Sequence, residues 1–310
     1  MNPRKKIIFI TGPTAIGKSR LAIVLSRRLN AEIISCDSMQ IYKGMAILSA
    51  QPSPKALREV PHHLVAFVSP RREYDVFRYS RQANKKVRDI IKRGKTPLFV
   101  GGTGLYISIV VDGIFRGAKR NEMLRRRLYR QAEGAGAEFL YEKLKKVDPT
   151  AAEKIHPHDT KRIIRALEVF ESTGKPISQW QRVRYGGLSN NYDIRIFCLN
   201  LKRSLLHKRI EQRVEEMFKD GVLDEVRKLL SMPLSRTASY AIGLRELEGY
   251  LAGRYDLETA KQLIKRSTRL YAKRQLTWFR KDKRIEWIEI KDKETAESIA
   301  KRILRKIRAS

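Results

Sequence analysis

Residues 12–19 read Gly12-Pro13-Thr14-Ala15-Ile16-Gly17-Lys18-Ser19, which fits the phosphate-binding spacing G-x-x-x-x-G-K-[ST]. The residue types suit a polyanion. Gly12 and Gly17 let the backbone curl, so that N–H groups of the loop, Thr14, Ala15 and Ile16 among them, face inward. Lys18 reaches outer phosphate oxygens, and Ser19 is the candidate ligand for Mg²⁺. Asp37 follows a second apolar run, at its C-terminal end. It can contact metal, take a proton or cap a turn, and spacing alone leaves these open. Arg209 and Arg213 lie four apart, as a pyrophosphate-cleaving site requires, with helix pairing to Glu216 as the bland alternative.

These groups need elements to hold them. Ile7-Ile8-Phe9-Ile10 is an apolar run suited to a buried parallel strand, and a helix from Ser19 through Arg28 directs its positive end at the bound anion. Ala31–Cys36 and Thr96–Val100 read as further strands, so Asp37 and Gly101-Gly102-Thr103-Gly104 fall at strand C-terminal ends, where parallel sheets bind ligands. Gly101 stands where a nucleotide hydrolase often has a metal-holding acid. Glycines there suit close approach of a ligand or a tight strand-to-helix turn. His62-His63 precedes a short strand-like run, Leu64–Val68, and reads as structural. Residues 75–93 read as a helix closed at Gly94.

From about 116 to 191 the pattern is helical throughout, an insertion with 17 basic and 9 acidic residues. Asp148-Pro149 and Asp159 start helices, Ile163, Ile164, Leu167 and Phe170 form an apolar face, and Lys161, Arg162 and Arg165 lie off it. A strand returns at 192–199. Ser204 is expected to cap a helix carrying Leu206, Ile210, Val214 and Met217. The final helix is expected over Glu258–Lys281, with Ile264, Tyr271 and Trp278 packed and Arg266, Lys273 and Arg280 forming an opposed basic stripe. The fold class is α/β: a phosphate-loop parallel sheet flanked by helices, residues 1–115 and 192–310, with an all-helical insertion domain at 116–191.

Across 310 residues, 66 Lys and Arg face 33 Asp and Glu, a net charge of +33 that points to nucleic acid. A membrane surface is the rival, but no run of about eighteen apolar residues exists and the first residues lead straight into a strand without a signal pattern. The expected location is the cytoplasm. Cys36 and Cys198 read as buried free thiols.

The phosphate loop, Asp37-Ser38-Met39-Gln40-Ile41-Tyr42, Pro61-His62-His63-Leu64 and Gly101-Gly102-Thr103-Gly104-Leu105-Tyr106 together resemble the tRNA dimethylallyltransferase family. The resemblance continues through Asp148-Pro149, Ile155-His156-Pro157, residues 162–168, Ala241-Ile242-Gly243 and residues 272–280. It implies transfer of a dimethylallyl group from its diphosphate to N6 of the adenosine just 3′ of a tRNA anticodon. By that resemblance, Gly12 and Thr14–Ser19 hold the diphosphate with Mg²⁺. Asp37 contacts the amine as base or orienter, Thr14 lies near the reacting centre, and Arg213 assists departure of the diphosphate. Ser38, Gln40, Thr103 and Gly104 belong to the blocks that line the adenosine channel. Lys161, Arg162 and Arg165 in the insertion, with Lys273, Arg274 and Arg280, meet the anticodon stem-loop backbone. Two stretches depart from the pattern: Ala46–Pro52, where the family's usual Lys is missing, and Ala66 in place of an Asp. The expected form is a monomer. Phosphoryl transfer by a small-molecule or nucleoside kinase is the main rival, and a non-catalytic RNA-binding module is a second.

Overall fold

The computed structural model describes residues 4–115, 117–118 and 120–309; Arg116 and Lys119, at the expected start of the insertion, and Ser310, in the expected tail, lie outside them. Two compact units result, one of Met1–Val111 with Leu188–Ser310 and one of Asp112–Gly187.

Six strands, β1 (Lys6–Thr11), β2 (Ala31–Ser35), β3 (His62–His63), β4 (Thr96–Val100), β5 (Asp193–Asn200) and β6 (Ile285–Glu289), form the sheet of the first unit. All pair in parallel, in the order β3-β2-β4-β1-β5-β6. Its centre is apolar on both faces, as the uninterrupted Ile7–Ile10 run requires. Phe9 and Phe99, side by side in register, stack with ring centroids 4.5 Å apart. Around the sheet lie α1 (Lys18–Leu29), α2 (Pro54–Glu59), α3 (Val76–Lys92) and α4 (Gly104–Asp112). The second unit supplies α5 (Glu122–Val147), α6 (Pro149–Ala152), α7 (Thr160–Thr173) and α8 (Ile177–Trp180). The chain then returns through α9 (Arg203–Lys219), α10 (Val222–Leu230), α11 (Leu244–Leu251), α12 (Leu257–Phe279) and α13 (Ala296–Arg308).

Several expectations change. The short strand is the histidine pair itself, not Leu64–Val68; Leu64 and Ala66 have φ of 62° and 48°, which an extended strand excludes. His63 serves structure, with Nε2 2.7 Å from the buried Glu32 carboxylate that also pairs with Arg93 and Lys95. Ser204 does not cap α9, because the helix begins at Arg203 and its cap position is Lys202, without a side-chain bond. The helix at 257–279 is followed by β6 and α13, whose Ile299, Ile303, Leu304 and Ile307 pack in the core. Nor do Ile264, Tyr271 and Trp278 form one packed stripe. A strict seven-residue spacing drifts about 20° per repeat on a straight helix, so Ile264 is buried while Trp278 is 39% exposed.

The second unit has its own core, built from Leu128, Leu140, Leu144, Ile163, Ile164 and Leu167. Phe170 is only half-buried; Val169 takes the core position. Asp148 and Asp159 cap their helices by accepting the N–H groups of Ala151 (3.0 Å) and Arg162 (3.2 Å). Glu168 is fully buried and accepts from Asn121 N–H (2.7 Å), Arg125 Nε (3.1 Å) and Arg165 Nη1 (2.7 Å). Burial pushes its carboxyl up, but these donors outweigh that and hold it below the usual range.

Candidate active site

The phosphate loop lies between β1 and α1 and takes its shape from three left-handed residues: Gly12 (φ 142°), Ala15 (φ 62°) and Gly17 (φ 98°). Gly12 is doubly constrained, since a Cβ there would lie 2.9 Å from the Leu199 carbonyl. Lys18 is partly exposed along its stem, but its ammonium folds back to donate to Gly12 O (3.0 Å) and Pro13 O (2.7 Å). Burial of that ammonium, opposed by Asp37 and reinforced by Arg213, brings its pKa down to about 8. Ser19, exposed in the first turn of α1, makes no side-chain hydrogen bond among the described residues.

Asp37 follows β2. Its Oδ1 accepts from Met39 N–H (2.9 Å) and Gln40 N–H (3.4 Å), which is the turn-capping role; Oδ2 has no hydrogen bond among the described residues and remains available for chemistry. A cavity of about 1410 Å³ joins Asp37 to the loop, with Thr14, Lys18, Ser19, Arg213 and Tyr271 on its walls. Arg213, from α9, donates to Thr14 Oγ1 at 2.5 Å, and Arg209 donates to Ile16 O at 3.3 Å. Both arginines of the i, i+4 pair thus turn toward the phosphate loop.

Gln275, near the C-terminal end of α12, accepts from Thr14 N–H (2.9 Å) and donates to Gly102 O (2.9 Å). It ties the phosphate loop to the end of β4. Tyr271, one turn earlier, has its phenol pushed above the usual range by burial, with the Asp37 charge adding. It remains a neutral hydrogen-bonding group at physiological pH. The sequence reading missed both; a Gln and a Tyr inside the basic 272–280 block and its approach were the available signal.

The glycines after β4 serve packing. A Cβ would lie 2.1 Å from Cys36 O at Gly101, 2.1 Å from Gln275 Nε2 at Gly102 and 2.2 Å from Trp278 Cδ1 at Gly104. The close approach of Cys36, Gln275 and Trp278 leaves no room for a side chain at these positions. Ser38 and Thr103 bind each other, Ser38 N–H donating to Thr103 Oγ1 at 3.0 Å. Gln40 lines the cavity, but its amide is spent on Ser35 Oγ (2.9 Å), Ala50 O (2.8 Å) and Ser49 O (3.3 Å). The altered 46–52 segment is held from α10, where Glu225 accepts from Ile47 N–H (2.9 Å) and Leu48 N–H (2.8 Å). Cys36 and Cys198 are buried free thiols, each pushed up to about 12 by burial. Arg274 reaches the cavity wall, whereas Lys273 is exposed elsewhere on α12 and Arg280 is exposed just past its end. Lys161, Arg162 and Arg165 belong to the second unit; Arg162 pairs with Asp159 (3.3 Å) and Arg165 is committed to Glu168 and to Ala118 O (3.0 Å).

Residues 40–282 match the family model described as IPP transferase, and residues 5–65 match a second, Isopentenyl transferase. The chain belongs to the IPP transferase family. Curated relatives include tRNA dimethylallyltransferases of Carboxydothermus hydrogenoformans, 44% identical over 97% of this chain and 96% of the relative, and of Geobacillus thermodenitrificans, 45% identical over 94% and 92%. Among solved structures, the full-length tRNA isopentenylpyrophosphate transferase of Bacillus halodurans is 36% identical with a TM-score of 0.71, covering 99% of this chain and 98% of that one. A eukaryotic dimethylallyltransferase acting on tRNA is 29% identical with a TM-score of 0.79, covering 98% and 79%. Membership sets aside the phosphoryl-transfer alternative, which rested on the loop, the acid after β2 and the glycines after β4. The free oxygen of Asp37 lies in the same cavity as the phosphate loop.

Proposed function

We infer that the protein transfers the dimethylallyl group of dimethylallyl diphosphate to N6 of the adenosine 3′-adjacent to a tRNA anticodon, releasing diphosphate. The observation that carries this reading is the shared cavity of the phosphate loop, Arg213 seated on Thr14, and the unbonded Oδ2 of Asp37.

The oxygen donors at Ser19 and Asp37 fit Mg²⁺. No group of three or more His, Cys, Asp or Glu among the described residues forms a protein-only metal cage, and Mg²⁺ commonly takes one or two protein ligands with substrate phosphate and water. Ser19 would hold it, and the ion would supply charge neutralisation to the diphosphate. The rest is done by the chain. Loop N–H groups and the positive end of α1 bind the phosphates. Lys18 leaves the carbonyls of Gly12 and Pro13 for phosphate oxygen. As the allylic C–O bond breaks, negative charge grows on the diphosphate, and Arg213 stabilises it where Thr14 positions the guanidinium. The N6 lone pair forms the new C–N bond, and the amine proton passes to Asp37 Oδ2. An allylic carbon bears positive charge readily, so alignment and leaving-group stabilisation contribute more than nucleophile strength. The adenine leaves its stack to reach this cavity, at a cost of about a few kcal/mol. The basic faces of the second unit and of α12 grip the anticodon stem-loop, and the enzyme works as a cytoplasmic monomer.

Incubation with dimethylallyl diphosphate, Mg²⁺ and unmodified tRNA tests this. The expected result is a mass increment of one prenyl group on the adenosine beside the anticodon. ATP consumption without that increment would overturn the assignment.

A further inference from the structure

Helix α3 carries Arg78, Arg81, Lys85, Lys86, Arg88 and Lys92 against a single acid, Asp89. Tyr79, Ala83, Val87 and Ile90 bury one face, which leaves Arg78, Arg81, Lys85 and Arg88 exposed along the other at intervals of three, four and three. With Tyr74, Gln82 and Asn84 these cations line an open groove of about 580 Å³. None of them belongs to the phosphate-loop cavity.

The other basic helices of the same unit spend part of their charge on ion pairs. On α12, Lys261 and Lys265 pair with Glu215 at 3.0 and 2.6 Å, and Arg269 pairs with Glu211 at 3.1 Å. On α13, Arg302 pairs with Glu294 at 3.1 Å and Lys306 with Glu286 at 3.4 Å. On α3, Arg78 has only the distant Asp75, at 3.9 Å, and a bond to Glu73 O. Arg81, Lys85 and Arg88 make no ion pair among the described residues. Three adjacent like charges destabilise a helix slightly when nothing faces them. They attract a polyanion strongly, because each neutralised phosphate releases counterions.

We propose that the α3 groove is a second binding surface for the sugar-phosphate backbone of tRNA, apart from the cavity that takes the adenosine. The proposal rests on the tRNA reading above. From Arg78 to Arg88 the stripe rises about 15 Å along the helix, so several successive phosphates can be met at once. Arginine forks suit phosphate oxygens, and the Gln82 amide between them offers a partner for ribose 2′-hydroxyls. The surface adds affinity without touching the reacting atoms.

The test is the triple variant Arg81→Glu/Lys85→Glu/Arg88→Glu, compared with wild type and with Lys301→Glu/Arg305→Glu/Arg308→Glu on α13, which changes net charge equally. Dissociation constants for unmodified tRNA are measured by filter binding across a salt series, alongside transfer kinetics and melting temperature. The α3 variant is expected to bind tRNA on the order of tenfold more weakly, with the log–log salt slope shallower by about 2 to 3. Turnover at saturating tRNA, KM for dimethylallyl diphosphate and melting temperature stay at wild-type values. Unchanged tRNA affinity overturns the proposal. So does an equal loss in the α13 variant. Binding is read without catalysis, so a wild-type protein that binds tRNA through α3 but does not prenylate it refutes the functional reading and leaves this one standing.

Discussion

The two walls of the proposed active-site cavity are made in opposite ways. One wall is the phosphate loop, eight consecutive residues that act largely through backbone N–H groups and a helix terminus. The other is assembled from side chains far along the chain: Arg213 lies 199 residues from the Thr14 it contacts, and Gln275 lies 261 residues away. On the proposed mechanism the loop wall holds a phosphate present before, during and after reaction. On the same mechanism the helical wall meets groups whose charge or position changes during the reaction, so its loss should appear in turnover more than in binding.

Substitutions can break that division. Asp37→Ala and Arg213→Ala should have the largest effects, each lowering turnover about 10²-fold or more with diphosphate binding and melting temperature nearly retained. Single-turnover prenylation with radiolabelled donor measures this, and near-normal rates in either variant remove that residue from the mechanism. Gln275→Ala should cost less. It frees Thr14 N–H and leaves Gly102 O unpaired, so kcat/KM should fall by about tenfold, with a stability loss of about 1–3 kcal/mol by denaturant titration. Gln275→Glu keeps the acceptor for Thr14 but lacks the donor to Gly102, and should fall between the two.

The smallest effect belongs to the loop wall and sharpens the contrast. In the ligand-free protein Lys18 titrates near 8, charged below and neutral above. A bound diphosphate keeps it protonated, so binding above that pH takes up a proton. Affinity for diphosphate should therefore fall as pH rises past 8, by at most about tenfold per unit from this group. Calorimetry in buffers of different ionisation enthalpy reads the proton uptake, and none at pH 9 would contradict the enclosed ammonium.

The loop wall was legible because a phosphate cradle is a local structure, with its strand, glycines and helix contiguous in sequence. Asp37 was visible for the same reason, although only the structure separates its capping oxygen from its free one. The far wall was half legible. The i, i+4 pair Arg209 and Arg213 suggested a phosphate-facing side, but nothing local distinguishes Gln275 from any other polar residue in a basic helix; its burial comes from β4 and the loop packing over it. Strand β6 was missed because five residues with two acids carry too little apolar signal, and burial against β5 decides the matter instead. Net charge pointed to nucleic acid without separating cations held by neighbouring carboxylates from cations left open, since pairing is a tertiary property.

The glycines after β4 carry a consequence for how such sequences diverge. Gly101, Gly102 and Gly104 are hemmed in by Cys36 O, Gln275 and Trp278 rather than by substrate, so a larger residue at any of them demands a compensating change in a distant partner. Drift at these positions is blocked by architecture. A descendant that lost its chemistry through Asp37 or Arg213 would still be held to the same three glycines. Their presence in an unfamiliar sequence therefore speaks to the scaffold, and on the proposed mechanism an active enzyme is recognised by its Asp37 and Arg213.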